Sequence, residues 1–202
     1  IIPSVGETLY ILFFTMIFVT MAGFFIAIIL YITDKEGLDP RPRLHLVLNT
    51  IVNMIRSIPV VILIIVLFPV VRLLIGTSIG TQAAIVYMSI MCVAFVARVL
   101  EEKLRLLDKS LIEAGKSMGL SNRQIIFRIV VHEAIPSMIL GLSFATIMVM
   151  GNIAFAGMVG AGGIGALILN YGYSAFNSYI MYSSIGIMFL LTVIIQLFGR
   201  FV

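Results

Sequence analysis

The chain has 202 residues, of which 61% are hydrophobic and only 11% are charged, with a formal net charge of +4 and a mean hydropathy of +1.20. An average soluble domain carries about a quarter charged residues, so this composition excludes a soluble enzyme, a disordered chain and a secreted disulfide scaffold. It predicts an integral membrane protein. The single cysteine, Cys92, permits no intramolecular disulfide. Because the sequence begins at Ile1 rather than Met, we expect a trimmed N-terminus.

Uncharged runs mark the predicted membrane spans. The first run, Thr8 to Thr33, has 26 residues, which is long enough to cross a bilayer as a tilted helix. Pro59 is expected to kink the second span. The last run, Ala134 to Gly199, is uncharged for 66 residues, and its glycine-rich centre, Gly157 to Gly165, divides it in two. We therefore predict an all-α, single-domain membrane protein over residues 1–202, with five transmembrane helices at about 8–33, 46–71, 82–98, 135–157 and 177–199.

The distribution of lysine and arginine predicts the orientation of these spans. Four lie between Asp34 and Arg56 and seven between Arg98 and Arg128, and Arg200 follows the last span. Only Arg72 falls on the opposite side. Cytoplasmic loops carry the excess of basic residues, so we expect the N-terminus outside, and the C-terminus and the loop at about 99–134 in the cytoplasm.

The acidic residues suggest how transport would be driven. All nine fall in predicted loops or at span ends. Transporters that use an ion or proton gradient usually carry ionisable groups within their spans. We therefore expect any uphill transport to draw its energy from a partner protein.

The polar loop between the third and fourth spans has its own helix signals. Ser110 with Glu113, and Ser121 with Gln124, fit capping boxes, and Gly119 suits a left-handed helix end. These signals predict two short helices joined at Gly119. On the first, the pairs Ala114–Met118 and Gly115–Gly119 each lie one turn apart, which gives a smooth face for another protein.

Other functions fit the same segments less well. Gly115, Gly119, Ser121 and Ile125 echo a helix-turn-helix, so a membrane-anchored DNA-binding regulator is an alternative, although the loop leaves little room for a third helix. Gly160 to Gly165 fits a dinucleotide fingerprint by letter, but no strand precedes it. The predicted spans hold no Cys/His or paired-carboxylate constellation, which argues against an intramembrane enzyme.

Several motifs together resemble the permeases of binding-protein-dependent ABC importers, whose known loop motif is Glu-Ala-Ala. The sequence has Glu113-Ala114-Gly115, followed by Gly119 and Pro136. Arg56-Ser57-Ile58-Pro59 and the glycine-rich segment Val159 to Gly165 are similar to the methionine-importer subfamily, which also has five spans. Two departures are Gly115 in place of the second alanine and His132 where the loop pattern usually has proline.

The resemblance implies a type I ABC importer permease fold, working as a homodimer in the bacterial plasma membrane. It implies that two copies of a separate cytoplasmic ATPase, which bind ATP and Mg, dock on the loop, and that an external binding protein delivers the solute. Methionine is implied by the subfamily; another amino acid or small polar solute is the alternative. Catalytic activity, cofactor, metal and nucleic acid are not expected in this chain itself, and His45 and His132 have no companions at metal-ligand spacing. The residues expected to contact the ATPase are Glu113, Ala114, Gly115, Met118 and Gly119.

The fourth span offers a candidate gate. Small residues surround one bulky side chain, Phe155, which we expect to close the pathway with its copy across a two-fold axis. Close helix packing is the alternative reason for the small residues. Asn152 and Ser57 are candidate polar contacts along the path.

Overall fold

A computed structural model describes residues 2–201, with side chains as far as residue 197, so the Arg200 side chain counted above lies outside the described part. The described chain is helical without strands, which confirms the all-α prediction. Its α-helices are α1 (Ile2–Thr33), α2 (Pro42–Ser57), α3 (Val60–Ile75), α4 (Thr81–Arg105), α5 (Lys109–Ser117), α6 (Asn122–Gln124), α7 (Val131–Ile153), α8 (Gly163–Ala166) and α9 (Ser178–Phe201).

The centre of the molecule is α4. In its most apolar 18-residue window 67% of the residues are buried, against 6% in the corresponding window of α9. α1 runs alongside α4, and α7 contacts both of them. α9 contacts α7 and the π-helical segment Leu167–Tyr173. Because α1 and α9 expose large apolar side chains such as Phe13, Phe25 and Phe189, the surface suits a lipid environment or further helices rather than water.

The predicted second span is broken instead of kinked. α2 and α3 meet at an angle of 115°, and together they form one bent pair beside four unbroken helices that are long and apolar enough to cross a membrane. The break lies at Ile58, whose extended backbone (φ −85°, ψ 128°) precedes Pro59. A residue before proline is driven out of the helical region by the proline ring, so Ile58 ends α2. Arg56, assigned above to the cytoplasmic side, therefore lies in the last turn of the half-helix α2, next to the break.

The polar segment after the third span is more helical than expected. α4 continues seven residues beyond the predicted end at 98 and stops at Arg105. The second short helix does not exist as a separate element, because it is the start of one continuous helical rod, Asn122–Val159, which is 38 residues long. A π-helical stretch, Ile125–Val130, lies in this rod. Pro136 sits inside α7, near its start.

The glycine-rich corner, residues 154–166, consists of two helical segments that pack against each other and contact α1. The 3₁₀ segment Ala154–Val159 lies against α8. The first two amides of α8 are capped from α1: Gly163 N donates to Glu7 Oε2 at 2.6 Å, and Ile164 N donates to Thr8 Oγ1 at 2.9 Å. Free amides at a helix start need such acceptors, so α1 fixes the position of this corner.

Candidate functional site

The loop helix α5 begins at a different cap from the one predicted. Asp108, not Ser110, is the N-cap residue, and its Oδ1 accepts a hydrogen bond from Ser110 N at 2.9 Å. Ser110 is already helical, so it forms no capping box with Glu113. Hydrogen bonding from Ser110 holds the pKa of the Asp108 carboxyl below its ordinary value of 3.8. A charged carboxylate at a helix start is favoured by the helix dipole as well.

We expect this cap to make α5 sensitive to pH. The pKa of Asp108 is lower in the folded chain than in an unfolded one, so its contribution is complete above about pH 4 and is lost as the pH falls below that. The contribution of the ionised Asp108 cap to the stability of α5 is measured by comparing the hydrogen-exchange protection of the α5 amides at pH 6 and at pH 3. Asp108→Asn, which caps at either pH, should remove the pH dependence, and Asp108→Ala should lower protection about fivefold at pH 6. Equal protection in all three proteins would contradict the assignment of the cap.

Gly115 faces inward, which corrects its assignment to the docking face. It is buried, and a Cβ added to it would lie 2.9 Å from Ile129 Cδ1 and 3.2 Å from Ile125 Cγ1. Those isoleucines belong to the π-helical stretch that opens the long rod. The absence of a side chain at position 115 therefore lets α5 pack closely on the rod, and it leaves no surface there for a partner.

The other predicted contact residues remain on the outside. Glu113, Ala114 and Gly119 are exposed, and Met118 is 76% exposed. Gly119 has φ +74°, the left-handed conformation predicted for the helix end. The capping box at Ser121 is also present, with Gln124 N donating to Ser121 Oγ and Ser121 N donating to Gln124 Oε1. Ala114 and Met118 thus form a small apolar face that ends in a sharp turn.

The loop after α1 contacts both α5 and the segment that follows it. Lys109 pairs with Glu36, and Asn122 Nδ2 donates to Leu38 O at 3.1 Å. Hydrogen bonding between the first pair lowers the pKa of the Glu36 carboxyl and raises that of the Lys109 ammonium. Both of these side chains are exposed, so the pair adds little stability. The pair shows only that the start of α5 lies beside the loop after α1.

A buried carboxylate that the sequence did not reveal lies next to this loop. Glu101 is fully buried, and its two oxygens accept hydrogen bonds from Arg98 Nη1 at 2.7 Å and Arg105 Nε at 3.0 Å. Arg105 also pairs with Asp34. Burial opposes ionisation of Asp34, but Arg105 outweighs it and keeps the pKa of Asp34 below its ordinary value.

The arginine on the other side of Glu101 reaches the half-helix α2. Arg98 Nη2 donates to the side-chain oxygens of Asn49 and Asn53. The charged group formed by Glu101, Arg98 and Arg105 therefore joins α4 to α2. Through Asp34 it also joins α4 to the loop after α1, which contacts α5. Glu101 had been placed at the edge of a loop because α4 was predicted to end at 98. The two arginines lie one turn away on either side of Glu101 in α4, but the residues that those arginines contact in turn, Asn49, Asn53 and Asp34, are distant in sequence, and no local pattern indicated them.

The structure does not gather the three predicted pathway residues at one point. Phe155 is half-buried in the 3₁₀ segment and packs against the main core. Asn152 lines an open cleft beside α4, where its Nδ2 donates to Cys92 Sγ at 3.8 Å. Ser57 is the exposed last residue of α2, where it lines a different cavity, and its Oγ donates to Asn53 O at 2.8 Å. The gate at Phe155 and the roles of Asn152 and Ser57 stay predictions.

Known sequences match nearly the whole chain. The family model described as "Binding-protein-dependent transport system inner membrane component" matches residues 20–202. The probable D-methionine transport system permease protein MetI of Haemophilus influenzae is 37% identical over 193 residues, covering 96% of this chain and 91% of the relative. The methionine import system permease protein MetP of Bacillus subtilis is 36% identical over 171 residues, covering 85% of this chain and 77% of the relative.

Solved structures match the fold as well. A chain from a structure of inward-facing conformations of the MetNI methionine ABC transporter superposes with a TM-score of 0.95 at 34% identity, covering 98% of this chain and 92% of that one. A chain from an amino acid ABC transporter crystallised with histidines superposes with a TM-score of 0.74 at 18% identity, covering 100% of this chain and 93% of that one. At that identity the second match shows the fold alone.

Proposed function

The chain belongs to the family of binding-protein-dependent transport system inner membrane components, and from this membership we propose that it is the permease subunit of an ATP-driven importer of methionine. Methionine is supported by relatives at 36–37% identity whose names carry that substrate. The other solutes considered above have no comparable support. A DNA-binding regulator is not favoured, because the second helix of the helix-turn-helix pattern is the start of the long apolar rod.

The observation that carries the proposed coupling role is the exposed face of α5. Ala114 and Met118 present small and flexible apolar groups. α5 lies beside the loop that follows α1, whereas the glycine-rich corner contacts the start of α1. Such a face suits a closely packed protein contact. Our proposal is that a separate ATPase, which binds ATP and Mg, docks here, with Glu113 and Gly119 at the edge of the contact.

We further propose that two copies of the chain form the pathway, that an external binding protein delivers the solute, and that α5 lies in the cytoplasm. The orientation is supported by the basic residues clustered around α5, including Arg105, Lys109 and Lys116. In a rigid-body switch, movement of the docked ATPases would be passed through α5 to the rod and to α4.

Copurification tests the docking surface. Tagged chain is extracted gently from its own cells, and the copurifying proteins are quantified by mass. We expect a stoichiometric ATPase with the natural chain and with Ala114→Ser, which keeps the face small. Ala114→Trp should reduce the recovered ATPase about tenfold, because the indole prevents close approach.

Transport by the same proteins tests the substrate. Vesicles holding the complex and its binding protein should accumulate methionine when ATP is supplied, and Ala114→Trp should abolish the accumulation. Recovery of the natural chain without any ATPase, under conditions that preserve other membrane complexes, would overturn the coupling assignment. An active complex that imports a different solute and ignores methionine would overturn only the substrate.

A further inference from the structure

We propose that the cleft at the α2–α3 break binds the transported amino acid, with Arg56 holding its carboxylate. This inference rests on the proposed function and adds to it a specific substrate contact. The cleft lies between the break, α4 and α7, and its volume is about 280 Å³, near the small end of ligand pockets. Besides Arg56, its polar groups are Asn152 and Cys92.

The depth of the cleft makes a charge there expensive. Cys92, on its wall, lies eleven residues after the start of α4 and thirteen before its end. The cleft is therefore midway along the most buried span. A charged side chain at such a depth is costly to insert, and residues of this kind usually serve a transported species.

Arg56 differs from the arginines near the cytoplasmic end of α4. Arg98 and Arg105 share the buried carboxylate of Glu101. In the part of the chain that the structure describes, no carboxylate lies within ion-pairing distance of Arg56. Arg56 lines the cleft and is exposed in the single chain, so its guanidinium is accessible to an anion. A guanidinium matches the planar, two-oxygen shape of a carboxylate.

The remaining walls suit an apolar, flexible side chain. Met91, Met148, Phe95 and Leu63 line the cleft. Methionine side chains adapt their shape to a neighbour, and sulfur packs favourably against aromatic rings. The Asn152 amide oxygen offers an acceptor for the ammonium group of an amino acid. A zwitterion with a thioether side chain thus finds a cation, a neutral acceptor and an apolar wall in one place.

Direct binding to the permease–ATPase complex tests the site. Radiolabelled L-methionine is titrated into the detergent-solubilised complex without the external binding protein. We expect Arg56→Gln to weaken binding about tenfold or more and Arg56→Lys to weaken it less, since a charge remains. Arg72→Gln, which changes an exposed arginine in the last turn of α3, is the matched control and should bind as the natural complex does.

A second arm alters the ligand and leaves the protein natural, so that it does not depend on the folding of a variant. 3-(Methylthio)propylamine, which is methionine without its carboxylate, should fail to displace bound methionine. Equal displacement by this amine, or natural affinity in Arg56→Gln, would overturn the assignment while methionine import by the natural complex continues. Absence of methionine import by the natural complex would instead overturn the proposed substrate, and with it the ligand of the cleft.

Discussion

Replacement of Gly165 by alanine is expected to destabilise the chain by about 3 kcal/mol, at the upper end of the range for overpacked cores. An alanine Cβ at this position would lie 2.8 Å from the carbonyl carbon and the Cα of Ala154. These are backbone atoms, which cannot rotate away as the end of a side chain can. The glycine-rich corner would have to open, and the capping of α8 by Glu7 and Thr8 would be strained with it.

The chain provides its own probe for this experiment. It has no tryptophan, and its one cysteine, Cys92, is buried in the core. Unfolding on heating can therefore be followed by the reaction of Cys92 with a thiol-specific fluorescent dye. For a chain of this size a loss of about 3 kcal/mol corresponds to a fall in Tm of about 10 °C.

Gly151→Ala is the matched control for Gly165→Ala. Gly151 lies in α7, and a Cβ added there meets no atom within 4 Å. Alanine favours a helix more than glycine does, so the Tm of this variant should stay unchanged or rise slightly. Equal Tm changes in the two variants would show that close packing at Gly165 does not hold the corner together.

Replacement of Glu101 by glutamine is the second change with a large expected effect, about 3 kcal/mol of destabilisation. Glutamine keeps the size of the side chain but removes the charge that two arginines share. Breaking a buried ion pair costs more than the pair contributes, because the remaining charge is left without compensation. Most of the cost should come from Arg98, whose side chain is 17% exposed, since Arg105 is 45% exposed and water can solvate it.

Glu102→Gln removes the same charge from the neighbouring position, where the side chain is exposed, and serves as the control. Its Tm should change by about 1 °C or less, because exposed charges contribute little. The Tm of Glu101→Gln is measured by the same Cys92 reaction. A fall no larger than that of Glu102→Gln would mean that the charged group around Glu101 does not stabilise the fold.

The sequence predicted features that depend on a few neighbouring residues. The apolar runs indicated a helical membrane protein, Gly119 was expected in the left-handed region, and Ser121 with Gln124 formed the capping box that their spacing predicts. In each case the physical cause lies within one or two helical turns, so the local pattern contains the necessary information.

Features that depend on distant partners were missed or wrongly assigned. The pattern of small residues on α5 could not indicate that Gly115 faces Ile125 and Ile129, because that face is chosen by the rod packed against it. Glu101 has its arginine partners one turn away, but its full burial was missed, because it lies near a predicted span end, where a solvated position was the simpler expectation. Proline chemistry predicted a disturbance near Pro59, but the 115° angle between α2 and α3 depends on how both half-helices pack.

The hydrogen bond from Gly163 to Glu7 also constrains the order in which the fold is completed during synthesis. The two residues are 156 positions apart, and synthesis proceeds from the N-terminal side. When the first helix leaves the ribosome, the amides that its carboxylate will cap have not yet been translated. That helix must therefore enter the bilayer on its own apolar length. This end of the molecule closes only when the long helix Asn122–Val159 and the glycine segment have followed. A ribosome stalled before Gly163 would carry a nascent chain whose α1 is inserted but not yet locked.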